Sequence, residues 1–357
     1  MSSVTPNPSP FTRRCTRTGS ILIVSCAVLY LAAFLTDYEE NILIFLANVF
    51  APAALVIVVG GAIIAELFSR FRKQQVAPRR RIIGALLIIS VLVPTVVGEL
   101  RGHATPNDTS SPAGMELTVL DANLLGPVDV TSGFYDEVAR RKPDIIALQE
   151  LNPTVASTLI SKVGDLYPCK QLAPQPGVNG MGVFARFPCI QRDTSHVRAG
   201  IGMPQIVDVA LPDNKTVAVI NVHTIPPHWL VKKSPDDTTI RQLSNAIVER
   251  ELFIKEVLEE SRLVRTDAVI LAGDLNATTR NRVYRMVRRM GLFDSFSVGS
   301  RLHGGTWPAP YIPLPSWLVR IDFIFHCRGL VALHSETLPE GYGSDHRGII
   351  AKLALRK

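Results

Sequence analysis

Five separate segments of the chain end in polar clusters whose side chains could bind a metal ion or a phosphate. In chain order they are Asp121-Ala122-Asn123, Gln149-Glu150, Asn221-Val222-His223, Gly273-Asp274-Leu275-Asn276 and Ser344-Asp345-His346. A sixth acid, Asp322, stands in an otherwise apolar run, where a carboxylate is costly unless it is paired or hydrogen-bonded. Carboxylate and amide oxygens suit a hard cation, and histidines suit an oxyanion. The set predicts Mg²⁺- or Mn²⁺-assisted chemistry on a phosphate, because no soft-ligand pattern favours zinc.

Each cluster taken alone has an ordinary structural explanation. An Asp or Asn after a strand is commonly a turn residue, and an isolated histidine such as His223 commonly lies hydrogen-bonded in a partial core. These explanations cover single residues, but they do not explain why metal- and phosphate-binding groups recur along one domain. We therefore predict that the groups converge on one site.

The residues between the clusters predict alternating strands and helices. Short β-branched and apolar runs indicate strands at 116–125, 144–148, 181–185, 205–211, 216–222, 268–272, 321–326 and 348–355. Helix-like patterns cover 133–141, 155–163, 236–262 and 281–290. This mixture favours an α/β (α+β) sandwich over a helical bundle or an all-β fold.

The composition is uneven along the chain. Hydrophobic residues make up 47% of the 357 residues, the mean hydropathy is +0.21 and the net charge is +7. Residues 1–102 carry ten basic and five acidic side chains, so most of the excess positive charge belongs to the N-terminal third. The remainder is close to neutral, which gives little support to a nucleic-acid partner. The composition also excludes collagen-like, coiled-coil, disulfide-scaffold and disordered chains.

Apolar runs in the N-terminal third predict three transmembrane helices, at about 20–36, 42–65 and 82–97. Pro52 and Pro94 are expected to kink the second and third helices. On this basis the domains are a membrane anchor (1–98), a flexible linker (99–115) and a catalytic domain (116–357). The first run could instead be a cleaved signal peptide.

The charges that flank these runs predict the orientation of the anchor. Basic residues precede the first run and fill the loop at 70–81, whereas the loop at 37–41 contains no Lys or Arg. Basic loops remain on the cytoplasmic side of a membrane. The sequence thus predicts a multi-pass protein of the cell membrane whose catalytic domain lies outside the cytoplasm.

The order of the motifs resembles the endonuclease/exonuclease/phosphatase superfamily, which includes deoxyribonuclease I, abasic-site nucleases, inositol-polyphosphate phosphatases and bacterial sphingomyelinases. The resemblance covers about 116–355 and rests on Asn123, PDIIALQE, NGMGVFARFP, NVH, GDLN, RIDFIF and SDH in the family's order. It implies a four-layer α/β/β/α sandwich, here preceded by the three transmembrane helices, with the site at one end of the two sheets.

The resemblance implies which residues hold the metal. Glu150 is similar to the family's principal Mg²⁺ ligand, and Asn123 and Asp345 are expected nearby, directly or through water. Leu125 stands where some nucleases of the superfamily place a second acid. Asp121 stands where Thr or Ser is common, and we interpret it as a local hydrogen-bonding residue rather than an extra ligand.

The resemblance likewise implies catalytic roles. Asp274 is expected to orient or deprotonate the attacking water, and Asn276 to hold a phosphate oxygen. His223 and His346 are expected to donate to the phosphoryl oxygens, while Asp322 fixes the orientation of His346. The implied reaction is an in-line hydrolysis without a covalent enzyme intermediate.

The predicted membrane anchor narrows the range of expected substrates. Membrane spans followed by an outward-facing phosphoesterase domain resemble the VanJ-type bacterial proteins of this superfamily, which implies a polyprenyl diphosphate or another envelope lipid phosphate. The expected partners are therefore the bilayer and a lipid-linked phosphorylated substrate. An extracytoplasmic nuclease is an alternative that the near-neutral domain does not favour. A catalytically inactive, membrane-tethered interaction module is another alternative, and the complete set of acids, amides and histidines argues against it.

Further local features have two interpretations each. Cys169 and Cys189 could pair in an oxidising compartment or remain free thiols. The apolar segment 306–319, with Trp307 and Trp317, could insert into a lipid interface or pack over the edge of the sandwich. The five arginines within 280–289 could contact anionic groups or lie on a solvated helix.

Overall fold

The computed structural model describes residues 25–36, 38–71, 78–103, 114–226, 239–297, 304–309 and 319–356. The helices in these ranges are α1 (Ser25–Leu35), α2 (Ile42–Phe71), α3 (Pro78–His103), α4 (Ser132–Arg141), α5 (Pro153–Val163), α6 (Thr239–Ser261) and α7 (Arg282–Arg289). The strands are β1 (Glu116–Asn123), β2 (Ile145–Gln149), β3 (Cys169–Ala173), β4 (Met181–Ala185), β5 (Cys189–Gln191), β6 (Gln205–Ala210), β7 (Thr216–His223), β8 (Ala268–Asp274), β9 (Phe293–Asp294), β10 (Asp322–His326), β11 (Leu330–Thr337) and β12 (Ile349–Leu355).

The strands form two six-stranded mixed sheets. The first has the order β11-β12-β1-β2-β4-β3 and the second has the order β5-β6-β7-β8-β10-β9. Each sheet contains one parallel pair, β1 with β2 and β7 with β8, flanked by antiparallel neighbours. Because parallel strands end at the same edge of a sheet, the polar residues that follow these pairs are brought side by side.

Alternation of side chains along the strands builds three apolar layers. In β1, Leu117 and Val119 face the core between the sheets, whereas Leu120 and Ala122 pack under α4 and α5. A third layer lies between the second sheet and the helices α6 and α7. The predicted two-sheet α/β sandwich is thereby confirmed, with helices on both outer faces.

The strands that the sequence did not predict are all edge strands. β3 and β11 end the first sheet, and β5 and β9 end the second. Edge strands are short or partly solvated, so they lack the continuous apolar runs that identified the central strands. The four predicted helices of the catalytic domain correspond to α4–α7, with ends that differ by at most three residues.

The predicted membrane spans correspond only in part to helices. Within the described ranges, no single helix combines the length and the apolar character needed to cross a bilayer, so the three transmembrane helices are not supported. Ile42–Ala51 and Ala54–Gly61 meet both criteria only as a pair, and they are bent by 68° at the position where Pro52 was expected to kink the helix. Residues 20–24 of the first predicted span lie outside the described residues.

The start of α2 belongs to the catalytic domain. Ile42, Phe45 and Val49 are buried in the apolar layer under α6 and α7, and the Ile42 N–H donates to Ser244 Oγ at 3.3 Å. The first turns of the predicted span at 42–65 therefore cover protein with one apolar face, which does not support a membrane position for that face. The predicted linker also begins within α3, which continues to His103, and its residues 104–113 lie outside the described residues.

A disulfide joins the two sheets. Cys169 in β3 and Cys189 in β5 are bonded, with their Cα atoms 5.5 Å apart. Each lies on an edge strand of a different sheet, so the bond links the two halves of the sandwich. This selects the paired alternative over two free thiols.

We expect the double substitution Cys169→Ala/Cys189→Ala to lower the free energy of unfolding by about 3 kcal/mol, because the disulfide closes a short loop in the unfolded chain. Denaturant unfolding of the full-length protein would measure the change. Reduced wild-type protein is the matched control and should unfold at the same denaturant concentration as the double variant. Equal stability of the oxidised wild type and the double variant would contradict this prediction.

Candidate active site

The predicted site residues meet at one end of the sandwich, between the two sheets. Asn123 ends β1 and Glu150 follows β2 of the first sheet. In the second sheet, His223 pairs in register with Asp274, and Asp274 pairs in register with Asp322. All of these side chains occupy inner-face positions of their strands or the residues that directly follow them. The predicted convergence is thus observed, although the role of each residue stays a prediction.

Glu150 has an unusual backbone conformation. Its φ of 54° lies in the left-handed region, which is uncommon for a residue with a side chain and often marks a functional site. Its carboxylate accepts hydrogen bonds from the Gly126 N–H at 3.0 Å and from Asn123 Nδ2 at 3.1 Å. Burial raises the pKa of Glu150, and these two donors act in the opposite direction.

Asp274 is held by the loop that follows β8. A Cβ at Gly273 would lie 1.9 Å from the carbonyl oxygen of Val222, so only glycine fits immediately before Asp274. The Asn276 N–H donates to Asp274 Oδ1 at 2.7 Å, and Asn276 Nδ2 contacts Asp274 Oδ2 at 3.2 Å and the carbonyl oxygen of Thr224 at 2.9 Å. Burial and the nearby Asp322 raise the pKa of Asp274 to about 7.

Asp322 and His346 form a buried pair. His346 Nδ1 lies 3.1 Å from Asp322 Oδ1 and 3.0 Å from Asp322 Oδ2. This contact leaves Nε2 directed toward the site, 3.8 Å from Asp274 Oδ2. Although burial opposes a charge on the ring, the surrounding acids, led by Asp322, raise the pKa of His346 to about 10. The contact with Asp322 therefore favours the protonated form of His346.

His223 has the opposite electrostatic character. Burial lowers the pKa of His223 to about 3, and the positive charge of His346 acts in the same direction. Its Nε2 atom lies 3.5 Å from Asp274 Oδ2 and 3.8 Å from Glu150 Oε1. The site thus combines one charged and one neutral imidazole, both within reach of Asp274.

The donor set of the pocket fits a divalent cation. One ligand atom each from Asp274, Asp322 and His346 lie within 4.8 Å of one another. Asp345 Oδ1 is buried and has no hydrogen-bond partner among the described residues, while Trp307 Nε1 donates to Asp345 Oδ2 at 3.2 Å. Several acids that share a buried pocket are stabilised by a cation, which lowers the pKa of each.

The geometry separates two possible groups of metal ligands. Asp322 and His346 are already paired with each other. Of the predicted ligands, Asp345 offers an oxygen without a hydrogen-bond partner among the described residues, whereas each oxygen of Glu150 already accepts one hydrogen bond. Asn123 presents Nδ2 to Glu150, while its Oδ1 accepts from the Leu125 N–H at 3.1 Å. Binding a cation through Oδ1 would require the Asn123 amide to turn over.

A hydrogen-bonded network of buried polar side chains lies beside the site. Gln149 Nε2 donates to Asp121 Oδ1 at 2.9 Å and to Asn221 Oδ1 at 2.8 Å. Asn221 Nδ2 in turn donates to Gln205 Oε1 at 3.0 Å. Asp121 is thus a hydrogen-bonding residue within this network, which agrees with its interpretation as a local hydrogen-bonding residue. Gln205 was missed, and the signal that could have found it was its position opposite Asn221 on the inner face.

The described part of the apolar loop packs on the protein. The backbone N–H groups of Thr306 and Trp307 donate to the carbonyl oxygen of Val319 at 3.0 and 3.1 Å, and Trp307 also contacts Asp345. This favours packing over the sandwich edge for residues 306–309. Residues 310–318, which include Trp317, lie outside the described residues.

The arginines near α7 do not match either expectation as a group. Arg280 and Arg285 are buried, so they lie neither on a solvated face nor where an external anion could reach them. Arg280 Nε donates to the carbonyl oxygen of Asn48 at 2.7 Å, and an Arg285 nitrogen lies 3.8 Å from Glu39 Oε2. Their partners come from the start of α2 and the loop before it, which the sequence pattern did not connect to α7.

Comparison with known proteins identifies a family and similar folds. The family model for the endonuclease/exonuclease/phosphatase family matches residues 121–346. Proteins of that family from Bacteroides vulgatus and Bacteroides thetaiotaomicron have similar structures. The first is 14% identical with a TM-score of 0.51 and covers 68% of this chain and 100% of its own. The second is 16% identical with a TM-score of 0.50 and covers 68% of this chain and 99% of its own.

A family protein from Beutenbergia cavernae is 18% identical with a TM-score of 0.47, over 68% of this chain and 72% of its own. No curated protein matches. Members of the family are typically hydrolases of phosphoester bonds and generally require a divalent metal, for which this chain has an acidic and histidine cluster. Because the family model spans more than half of the sequence and its motifs converge in one pocket, the chain belongs to the endonuclease/exonuclease/phosphatase family.

Proposed function

We propose that this protein is a membrane-anchored phosphoesterase that uses Mg²⁺ or Mn²⁺ and hydrolyses envelope lipid phosphates, such as a polyprenyl diphosphate, outside the cytoplasm. One observation carries the catalytic part: Glu150, Asp274, Asp322 and His346 converge on one buried pocket. The family supplies the reaction class, and the N-terminal helices supply the argument for the membrane and the lipid.

The side chains of the pocket would have separate roles in the hydrolysis of a phosphoester. Asp274, held by Asn276, would orient the attacking water and accept its proton. His346 would donate from Nε2 to a phosphoryl oxygen, since Asp322 occupies Nδ1 and keeps the ring charged. The neutral His223 would act as a second donor. A divalent cation held by Glu150 and Asp345 would place positive charge beside the same oxygens.

Exposed apolar side chains support the membrane part of the proposal. Among the described residues, sixteen of the exposed large hydrophobic side chains lie between Val28 and Val96, and eight lie elsewhere. A large apolar surface of this kind commonly marks contact with a membrane or a partner. With the positive charges that flank the apolar runs, it favours a bilayer as the partner of α1–α3.

The disulfide supports the proposed location of the catalytic domain. Bonds such as Cys169–Cys189 form and persist in oxidising compartments, including the extracellular space and the bacterial periplasm. The loop at 38–41 and the catalytic domain also pack together, as they would if both lay on the outer side.

A nuclease is the second candidate, and the burial of two arginines near α7 argues against it. Duplex binding draws on several exposed basic residues, because each phosphate contact adds to the affinity. Arg280 and Arg285 are buried against the N-terminal segment and are therefore not available to a nucleic acid. An inactive interaction module is less well supported, since the chain retains every predicted site residue.

Glu150→Gln and His346→Ala should each lower kcat by about 10²–10³-fold, because the first removes the carboxylate that would hold the cation and the second removes a charged donor to a phosphoryl oxygen. Steady-state kinetics on a phosphoester that the wild type cleaves would measure this. His334→Ala is the matched control, since His334 is an exposed histidine on β11. Wild-type kcat in either site variant, with the circular dichroism spectrum unchanged, would remove that residue from the catalytic role.

The substrate is tested with purified full-length protein and four compounds: a polyprenyl diphosphate, a phospholipid, plasmid DNA and a generic phosphodiester. We expect hydrolysis of the polyprenyl diphosphate, loss of activity with EDTA and recovery with Mg²⁺ or Mn²⁺, since the acids of the pocket need a cation. Cleavage of DNA alone would replace the lipid proposal with the nuclease. Full activity in EDTA would remove the metal from the proposal.

A reporter that functions only outside the cytoplasm should be active when it is fused after Lys357. The reason is that the basic segments remain in the cytoplasm, which places the catalytic domain on the other side of the membrane. The matched control is the same reporter fused after Lys73, in the basic segment between α2 and α3, where it should be inactive. Activity of a strictly cytoplasmic reporter after Lys357 would refute the proposed orientation.

A further inference from the structure

The loop that carries the catalytic residues Asp274 and Asn276 ends at Asn281, directly before α7. Asn281 Oδ1 accepts hydrogen bonds from Thr278 N and from Thr278 Oγ1, both at 2.8 Å. This use of Oδ1 closes the loop but leaves Asn281 without a side-chain bond that caps α7. The first turn of α7 also contains no acidic residue. The cap that this helix lacks in its own sequence must come from elsewhere.

Glu39, in the loop between α1 and α2, supplies that cap. Its Oε2 accepts from the Arg282 N–H at 2.8 Å, and its Oε1 accepts from Asn281 Nδ2 at 2.8 Å. Asn48 Nδ2 donates to Oε2 at 2.8 Å from the other side. Only 1% of Glu39 is exposed, so the carboxylate is committed to these donors. A carboxylate at a helix N-terminus also stabilises the positive end of the helix dipole.

A second contact ties the same loop to α2. Pro52 has no N–H, so it cannot donate the helical hydrogen bond to the carbonyl oxygen of Asn48. Arg280, the last residue before Asn281, donates to that carbonyl from Nε at 2.7 Å and to the carbonyl of Val49 from a terminal nitrogen at 3.3 Å. The kink of α2 thus creates the acceptors that hold Arg280.

A third contact reaches the neighbouring loop of the site. Arg250 of α6 is buried, and its guanidinium group stacks over the ring of Phe45 of α2 at 4.7 Å. It donates to the carbonyl oxygen of Ile225 at 2.9 Å, and the adjacent Thr224 carbonyl accepts from Asn276. The N-terminal segment 39–49 therefore braces both loops that frame Asp274.

We propose that Glu39 is a positioning residue for catalysis: through Asn281 and Arg282 it fixes the loop 274–281, so that the N-terminal helices and the active site form one unit. The activity arm of the test rests on the proposed phosphoesterase function. Misplacement of a catalytic group by about 1 Å can reduce a rate by about 10²-fold. The positioning effect should therefore reach kcat through Asp274, whose carboxylate Asn276 contacts, with a smaller effect on KM.

The test is Glu39→Gln in the full-length protein, with Glu40→Gln as the matched control. Glutamine has one acceptor oxygen, and its NH₂ group faces donors, so it cannot satisfy Asn281, Arg282 and Asn48 together. The Glu40 side chain is 57% exposed and lies 3.5 Å from Arg282, so its substitution changes the same charge in the same loop without touching the cap. Steady-state kinetics and amide hydrogen exchange of residues 276–285 are measured for both variants.

For Glu39→Gln we expect kcat to fall by about 10- to 100-fold with KM changed by less than about threefold. Exchange at 276–285 should accelerate by about tenfold or more, while β1 and β2 stay protected. Glu40→Gln should match the wild type in both measurements. If Glu39→Gln unfolds throughout, Asn48→Ala removes only one donor to Glu39 and should loosen 276–285 alone.

Wild-type kcat and wild-type exchange in Glu39→Gln would overturn the proposal, as would equal effects in Glu40→Gln. A lower kcat with unchanged exchange at 276–285 would also overturn it, since the effect would then not pass through the loop. If the wild type cleaves no phosphoester, the proposed function fails, and exchange alone decides whether Glu39 holds the loop.

Discussion

Repulsion between buried carboxylates is the constraint on which this site depends. Glu150, Asp274 and Asp322 share a pocket from which water is largely excluded, and burial raises the pKa of Glu150 and of Asp274. Such a cluster persists only if positive charge and hydrogen-bond donors surround it. His346, whose protonated form the neighbouring acids favour, supplies positive charge, and the amides of Asn123 and Asn276 supply donors. Asp274, Asp322 and His346 also bring one ligand atom each within 4.8 Å of one another, a spacing that could hold a metal ion.

The pleat of the two sheets explains why these groups face one another. Along β1 the inner-face positions change from Leu117 and Val119 to Asp121 and Asn123, and β7 changes in the same way from Val219 to His223. The core between the sheets is therefore apolar in its middle and polar at one end. Parallel pairing within each sheet places both polar ends at the same edge. The polar end becomes a site because both sheets contribute to it.

The N-terminal segment packs against the catalytic domain through contacts that no local sequence pattern predicts. Glu39 and Asn281 are 242 residues apart in sequence and are joined by a hydrogen bond between buried groups. A protein that carried its active site on an independent tether would have no need of such contacts. The docked segment instead links the catalytic loop to the helices that are proposed to meet the bilayer, which would hold the pocket at a fixed place relative to the lipid.

Local sequence patterns were sufficient to predict the central strands, the helices that cover them and the polar groups at the strand ends. These features are encoded by local periodicity and by the order of short motifs, and they place Glu150, Asp274, Asp322 and His346 in one candidate site. The edge strands, the Cys169–Cys189 bond and the burial of Arg280 and Arg285 became apparent only in the folded structure. Their surroundings depend on partners far along the chain, and a charge cap supplied from Glu39 leaves no local signal beside α7. Burial and pairing are properties of the assembled layers, so they become definite only when the chain has folded.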